Sequence, residues 1–399
     1  MRVSTANTYD NSITNLQQRQ IDMSNKQNQK TSGLRVNAPS DDPVAAARAE
    51  RAQATISRSE ADKRTAEAAK NAMTLSESAL GDATDLLQSA RETLVQAGNG
   101  SYTDAERQAL AAKLKEIRKQ LFQVANSPDG NGGYLFGGQG SAAPPFVDAA
   151  GGVQFVGQGG QNLSDAGDTV PTTIDGEATW LQARSGNGVF VTSSSVQNGS
   201  AWINAGSVSN PAQITGHNYD IQFTVSGSTT TYNVVDTTLG STVVSNGTYS
   251  PGTAIQADGM SFTISGTPAN GDTFQIQPST NSLSVFSAMD KAITALNATG
   301  LNSGQIAQAV NQGLRDIDAV SSTMGSARAA AGETLNRIDG IENRIDAQSL
   351  SAKTAKSNAV DLDMVSAISD FQTQQSAYDA ALKTYSLVQK MSLFQYISG

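Results

Sequence analysis

Residues 361–399 read DLDMVSAISDFQTQQSAYDAALKTYSLVQKMSLFQYISG, and we expect the rest of the chain to be organised around this stretch. Its seam residues are spaced by three and four, the a/d pattern of a coiled-coil helix; they are Ile368, Phe371, Gln375, Tyr378, Leu382, Tyr385 and Gln389. No proline or glycine lies between Phe371 and Ser398, so a long helix is predicted. Because the seam carries two tyrosines and a phenylalanine, we expect another surface to cover it.

The beginning of the sequence carries the same pattern. Residues 4–32 are predicted to form a helix with a seam of the same spacing, which contains Ile13, Leu16, Gln20 and Met23. After Gly33, the segment Ser40-Asp41-Asp42-Pro43 has the features of a helix start, with Asp42 as the N-cap and Pro43 in the first turn. The two adjacent carboxylates could instead suggest a metal site or acid/base chemistry. The cap is the favoured interpretation, because no histidine or third ligand lies nearby.

Two longer seams lie between these ends. The first belongs to residues 44–97, and a capping box of Thr103 and Glu106 then starts a further helix. The second seam extends from Ile306 to Ile345. Since the two seams have similar lengths, the sequence predicts that they pack as one antiparallel bundle.

A region of different composition separates the two long seams. From about residue 127 to 282, Gly, Ser, Thr and Asn dominate, and alternating runs such as 219–225 and 273–277 predict strands. Asp258-Gly259 predicts a two-residue hairpin. These signals predict one or two small all-β modules.

The predicted fold class is therefore mainly α with an all-β insertion, and a long antiparallel helical bundle is built from both termini. The predicted division has four parts, listed here by residue number: a terminal coiled-coil assembly domain (1–42 and 360–399), a helical bundle domain (43–128 and 283–359), a first β module (129–194) and a second β module (195–282).

Composition excludes several classes of function. The net charge of −9 argues against a nucleic-acid partner, and the absence of cysteine excludes disulfides and thiolate metal sites. The single histidine, His217, is predicted to be a turn residue, and the glycine-rich segment 157–160 is predicted to be a turn rather than a phosphate loop. We expect no enzyme activity, no cofactor and no metal. No signal peptide or membrane span is predicted either.

A helical seam at each end of the sequence fits intermolecular assembly. The predicted assembly interface consists of Ile13, Leu16, Gln20, Met23, Ile368, Phe371, Gln375, Tyr378, Leu382 and Tyr385. The glutamines in these seams weaken an isolated helix pair and favour one register. The two ends are therefore predicted to be frayed in the monomer and to become ordered on assembly.

The ends of the chain also resemble a known family. MRVST at residues 1–5, TSGLRV at 31–36 and DDP at 41–43 are similar to the amino-terminal region of bacterial flagellins. DLDM at 361–364 and QQSAYDAA at 374–381 are similar to their carboxy-terminal region. Within this superfamily, GGYLFGG at 132–138 and the ending SLFQYI resemble the hook-associated protein 3 family most.

This resemblance implies a structural adaptor that joins the flagellar hook to the filament. The implied partners are further copies in a ring-like homo-oligomer, hook-associated protein 1, flagellin, and an export chaperone on the carboxy-terminal helix. The implied location is the extracellular flagellum, after export through the flagellar type III channel. The turn at Ser40–Pro43 would set the angle between the terminal helix and the bundle.

Two other functions are left open by the sequence. The chain could be a filament-forming flagellin, which would polymerise without other hook proteins. It could also be a flagellar surface protein whose β insertion is adhesive. The role of the segment from about residue 201 to 278 is not assigned by the resemblance.

Overall fold

The computed structural model describes residues 5–140 and 142–397, and within these the side-chain environments of 10–140 and 142–387. The described helices are α1 (Thr5–Ser32), α2 (Pro43–Ala97), α3 (Asp104–Ala125), α4 (Gly176–Leu181), α5 (Val285–Asn297), α6 (Ser303–Val360) and α7 (Met364–Ile397). The outermost residues of the predicted terminal domain, 1–4, 398 and 399, lie outside the described residues, as does the side chain of Gln389.

The strands are short and all lie between α3 and α5. They are β1 (Phe146–Ala149), β2 (Gly152–Phe155), β3 (Leu163–Asp165), β4 (Thr169–Pro171), β5 (Phe190–Val196), β6 (Trp202–Ile203), β7 (Ser207–Val208), β8 (Tyr219–Ser226), β9 (Thr229–Asp236), β10 (Ser241–Thr248), β11 (Ala254–Ala257), β12 (Met260–Ser265) and β13 (Thr273–Pro278). The predicted fold class, mainly α with an all-β insertion, is confirmed.

Two compact units make up the chain. The first consists of Met1–Arg64 and Glu342–Gly399, and the second of Thr65–Ile341. The first unit holds α1, α7, the start of α2 and the end of α6. The four-part division by residue number stays a prediction; strand β5 runs through its boundary at 194/195.

An antiparallel pair of long helices forms the bundle of the second unit. The seam of α2 buries Leu80 and Leu87 completely, and α6 contributes Ile317, Val320 and Met324 with no exposed surface. Salt bridges flank the seam, and they join Lys70 to Asp339 at 2.7 Å, Glu77 to Arg328 at 2.7 Å and Arg91 to Asp318 at 2.8 Å. Residue numbers rise along α2 as they fall along α6, so the predicted antiparallel packing is confirmed in this unit.

Helix α3 begins where the sequence predicts. The Thr103 hydroxyl accepts a hydrogen bond from the Glu106 backbone N–H, and the Glu106 carboxylate accepts one from the Thr103 N–H at 2.7 Å. The Arg118 guanidinium of α3 donates to Asp148 of β1 and to Asp290 of α5. This helix therefore joins the bundle to the first strands.

Strands β5 to β13 share one continuous hydrophobic core. A five-stranded sheet in the order β10-β9-β8-β13-β5 faces a second sheet of β11-β12-β6, with β7 also paired to β12. The predicted hairpin is present between β11 and β12, and both turn residues have positive φ, 41° at Asp258 and 78° at Gly259. The alternating runs identified in the sequence are the core strands β8, β9, β12 and β13.

Candidate assembly interface

Helices α1 and α7 pack antiparallel in the first unit. Lys30 Nζ lies 4.4 Å from the centroid of the Phe371 ring, and Lys26 Nζ lies 3.6 Å from a carboxylate oxygen of Asp370. Beyond the helix ends, the Leu362 N–H donates to the Gly33 carbonyl at 2.9 Å. The first and last helices of the chain are thus joined to each other.

One face of α7 lies against α1. Ala367 is buried on it, and Phe371, Gln374, Tyr378 and Tyr385 are half-buried. These positions keep the three-four spacing of the predicted seam. The structure nevertheless places Ala367 and Gln374 on this face, where the sequence analysis chose their neighbours Ile368 and Gln375.

The neighbouring positions form an exposed strip on α7, which we call the outer stripe. It consists of Val365, Ile368, Gln372, Gln375, Asp379 and Leu382, all of which are exposed. Ile368 and Leu382 each leave 41% of their surface exposed, and Val365 leaves 82%. Such exposure of large apolar side chains at regular helical spacing is typical of a surface that contacts a partner.

The ten residues of the predicted interface therefore divide into two groups. Half-buried positions are Leu16, Met23, Phe371, Tyr378 and Tyr385. Exposed positions are Ile13, Gln20, Ile368, Gln375 and Leu382. The first group belongs to the contact between α1 and α7, and the second remains open in the single chain.

A polar cavity interrupts the contact between α1 and α7. It measures about 310 Å³ and is lined by Asn15, Gln18, Arg19, Asp22 and Gln374. Gln374 Oε1 is buried there and accepts no hydrogen bond from the described residues. The sequence analysis missed this glutamine because Gln374 and Gln375 are adjacent and the heptad pattern alone selected the second.

The segment that connects α1 to α2 is held by its two aspartates. Asp41 Oδ2 accepts hydrogen bonds from the backbone N–H groups of Asn37 and Ala38, at 3.0 and 2.9 Å. Asp42 Oδ1 accepts from the Ala45 N–H at 3.0 Å, with Pro43 as the first helical residue, which is the geometry of an N-cap. This hydrogen bond from Ala45, and a weaker contribution from Arg35, lower the pKa of Asp42.

Small residues bring α2 and α6 together in the first unit. A cluster of buried side chains joins the connector to both helices, and its members are Val36, Ala45, Ala49, Ala359 and Val360. Arg35 Nη2 donates to the Ala359 carbonyl at 2.7 Å. Because this core consists mainly of alanine and valine, α2 and α6 bury smaller side chains here than in the bundle seam of the second unit.

The described residues also bear on the predictions about metal sites, His217 and membrane spans. Among them, no three histidines, cysteines or carboxylates lie close enough together to hold a metal ion. His217 Nδ1 lies 2.6 Å from an oxygen of Asp236, beside the loop that follows β9. No described helix has the length and apolar character needed to cross a membrane.

Comparisons with known proteins agree with this arrangement. Residues 3–141 match the bacterial flagellin N-terminal helical region, and residues 192–278 match the D2-like domain of flagellar hook-associated protein 1. The chain is 28% identical to flagellar hook-associated protein 3 of Salmonella typhimurium over an alignment of 403 residues, which covers 99% of both chains.

Two solved structures are also similar. Flagellar hook-associated protein 3 of Legionella pneumophila aligns with a TM-score of 0.72 and 29% identity, and the match covers 77% of this chain and 98% of that one. FlgL of Xanthomonas campestris aligns with a TM-score of 0.69 and 32% identity, covering 77% of this chain and 99% of that one.

Proposed function

We propose that this chain, which belongs to the hook-associated protein 3 family of the flagellin superfamily, is the structural adaptor that joins the flagellar hook to the filament. The protein is a component of the flagellum. The observation that carries the proposal is the outer stripe of α7, which stays exposed although the adjacent face of the same helix is packed on α1. A structural adaptor needs such a second face, because its terminal helices must contact neighbours as well as each other.

The assembly follows from the two groups of seam residues. The half-buried group holds α1 and α7 together, and the exposed group contacts neighbouring subunits in a ring of several copies. Hook-associated protein 1 is the neighbour on the hook side, and flagellin is the neighbour on the filament side. The connector fixed by Asp41 and Asp42 sets the angle at which α1 leaves α2.

The same surface needs protection before assembly. An export chaperone that covers the carboxy-terminal helix would hide the outer stripe in the cell that makes the protein. Export through the flagellar type III channel then delivers the chain to the outside. The family resemblance supports both of these steps, and the exposed apolar side chains of α7 give them a physical reason.

Two substitutions in α7 test the proposal. Leu382→Asp places a charge in the outer stripe, and Phe371→Asp places one in the contact with α1; each costs several kcal/mol (~2 or more) in an assembled, dry seam. Both variants are expected to export and to keep the second unit folded, yet to lose filament attachment. Motility, and electron microscopy of the hook tips, measure the effect. Normal filaments on cells that carry either variant would refute the proposal.

A polymerisation assay separates the adaptor from a filament-forming flagellin. The purified chain is mixed with filament seeds but without other hook proteins. The adaptor is expected to form at most short rings or caps. Long filaments of this chain alone would instead identify a flagellin.

A further inference from the structure

The first unit contains a second open surface, a groove between α2 and α6. It has a volume of about 590 Å³. Its lining consists of Arg48, Arg51, Ala52, Thr55, Gln348, Ser351, Ala352 and Ala355. We call this surface the alanine groove.

The floor of the alanine groove is apolar and shallow. Ala52 and Ala352 are nearly buried, whereas Ala355 is exposed beside them. Alanine at these positions leaves room for side chains of another helix, because nothing larger projects from the floor. A helix that docks there can place leucine or isoleucine against these three methyl groups, and the apolar side chains of the docked helix are then removed from water.

One rim of the groove is positively charged. Arg48 and Arg51 line it, and Arg58 continues their line along α2 beyond the groove, since the three are separated by three and seven residues; all three are exposed. Among the described residues, none of the three guanidinium groups has a carboxylate within ion-pair distance. The rim therefore favours a partner helix that carries an acidic residue next to its apolar ones.

The outer stripe of α7 has this chemistry. It places Ile368 and Leu382 on the same line as Asp379, whose exposed carboxylate pairs with no described cation. In a single chain the groove is open and the stripe is exposed, so neither surface fills the other. Their complementary charge and apolar character therefore fit a contact between two molecules.

We propose that the outer stripe of α7 docks in the alanine groove of a second copy of this chain, with Asp379 beside the arginine rim. The contact is head-to-tail, because the stripe and the groove are different surfaces; such contacts close into rings when the rotation permits. The proposal rests on the proposed function and deepens it by assigning a partner surface to the exposed seam residues.

Cross-linking between two singly substituted chains tests the contact. The chain contains no cysteine, so a chain with Ala355→Cys and a chain with Leu382→Cys can join only through the introduced thiols. A disulfide needs Cα atoms within about 7 Å of each other. Mixed at concentrations at which sedimentation detects association, the two chains are expected to form a heterodimer under mild oxidation.

A matched pair controls for random collision. Glu60 is exposed on α2, two residues past Arg58 and hence on the opposite side of the helix. Glu60→Cys mixed with Leu382→Cys is expected to cross-link at least about tenfold more slowly, because its thiol lies too far from the docked stripe. Equal rates for the two mixtures, or a wild-type chain that stays monomeric at every concentration reached, would overturn the proposal.

Charge exchange gives an independent measurement. Arg51→Asp and Asp379→Arg are each expected to weaken self-association by about fivefold, and the double variant to recover most of the loss. Arg64→Asp, an exposed arginine of α2 away from the groove, is the control and should change nothing. If Arg51→Asp leaves association unchanged while Leu382→Asp abolishes filament attachment, the groove assignment fails and the adaptor function stands. If Leu382→Asp also leaves filaments normal, the adaptor function fails as well.

Discussion

The seam of α2 in the second unit and the seam of α7 in the first have the same spacing but different surroundings. In α2, Leu80 and Leu87 are completely buried against the bundle. In α7, Ile368 and Leu382 each remain 41% exposed. Heptad spacing therefore identifies the side of a helix on which apolar residues collect, and it does not identify which molecule covers that side.

The difference arises because the face of α7 that packs on α1 is rotated away from the predicted seam. Ala367 and Gln374, rather than Ile368 and Gln375, lie on the face that packs on α1. One position along a helix corresponds to about 100° of rotation, enough to move a large residue from contact to solvent. The largest apolar side chains of the stripe are thereby left for another partner.

The largest expected difference between the two seams is in the rate of amide hydrogen exchange, measured on dilute monomer. Amides of α2 from residue 73 to 97 should open only with the whole bundle, whereas residues 4–32 and 368–396 should exchange rapidly, since their contacts are few. Mass spectrometry after timed labelling measures both. Strong protection of the terminal helices in the monomer would remove the contrast and contradict ordering on assembly.

Truncating one leucine in each seam is expected to lower the free energy of unfolding by very different amounts. Leu87→Ala is expected to lower the free energy of unfolding by about 2–5 kcal/mol, because it opens a cavity in a filled core. Leu382→Ala should change the monomer by less than about 0.5 kcal/mol, because its side chain is exposed. Urea titrations followed by circular dichroism compare the two. A similar loss for both variants would mean that the α7 seam is already closed in the monomer.

Replacing a seam glycine of α6 by a larger residue is expected to change the stability of the second unit by a smaller amount. A Cβ atom on Gly313 would come within 3.0 Å of Leu94 Cδ1, whereas one on Gly340 would meet nothing within 4 Å. Gly313→Leu should therefore destabilise the second unit by about 1–3 kcal/mol. Gly340→Leu, the matched control, should stabilise the helix slightly. Equal thermal unfolding of the two variants would show that the bundle seam can relax around added volume.

The smallest expected effect is on the acid stability of the fold. It concerns Asp42, the N-cap of α2 in the segment that connects α1 to α2. The hydrogen bond from the Ala45 N–H lowers the pKa of Asp42 from its ordinary value of 3.8. The ionised group therefore stabilises the fold above that pH, and this contribution is lost as the pH falls through the lowered pKa. Asp42→Asn keeps a capping oxygen but should abolish this part of the acid response. Circular dichroism between about pH 6 and pH 2 measures it, and identical profiles for both proteins would contradict the role of the carboxylate.

Much of the fold was predictable because local signals agree with the tertiary structure. The bundle seam, the capping box of Thr103 and Glu106, and the Asp258-Gly259 hairpin all depend on short spacings that the sequence displays directly. Helix α4 and the hairpins between β1 and β4 were not predicted, since those segments are only three to six residues long.

The division of the seam between two partners was not predictable from spacing. Phe371 and Leu382 belong to the same heptad pattern, and only the packing of α1 distinguishes them. The alanine groove could not be predicted from the sequence either, because its lining residues come from two helices and lie about three hundred positions apart.

The pairing of α1 with α7 has a consequence for synthesis. Helix α1 precedes α7 in the chain by most of the given sequence, so during synthesis it lacks this partner until the chain extends beyond Met364. A product that stops between Ile341 and Met364 contains the whole second unit, yet it lacks both the partner of α1 and the outer stripe. Under the proposed function, such a product would fold in its second unit and still be unable to assemble, because the surface proposed to contact neighbouring subunits is missing from it.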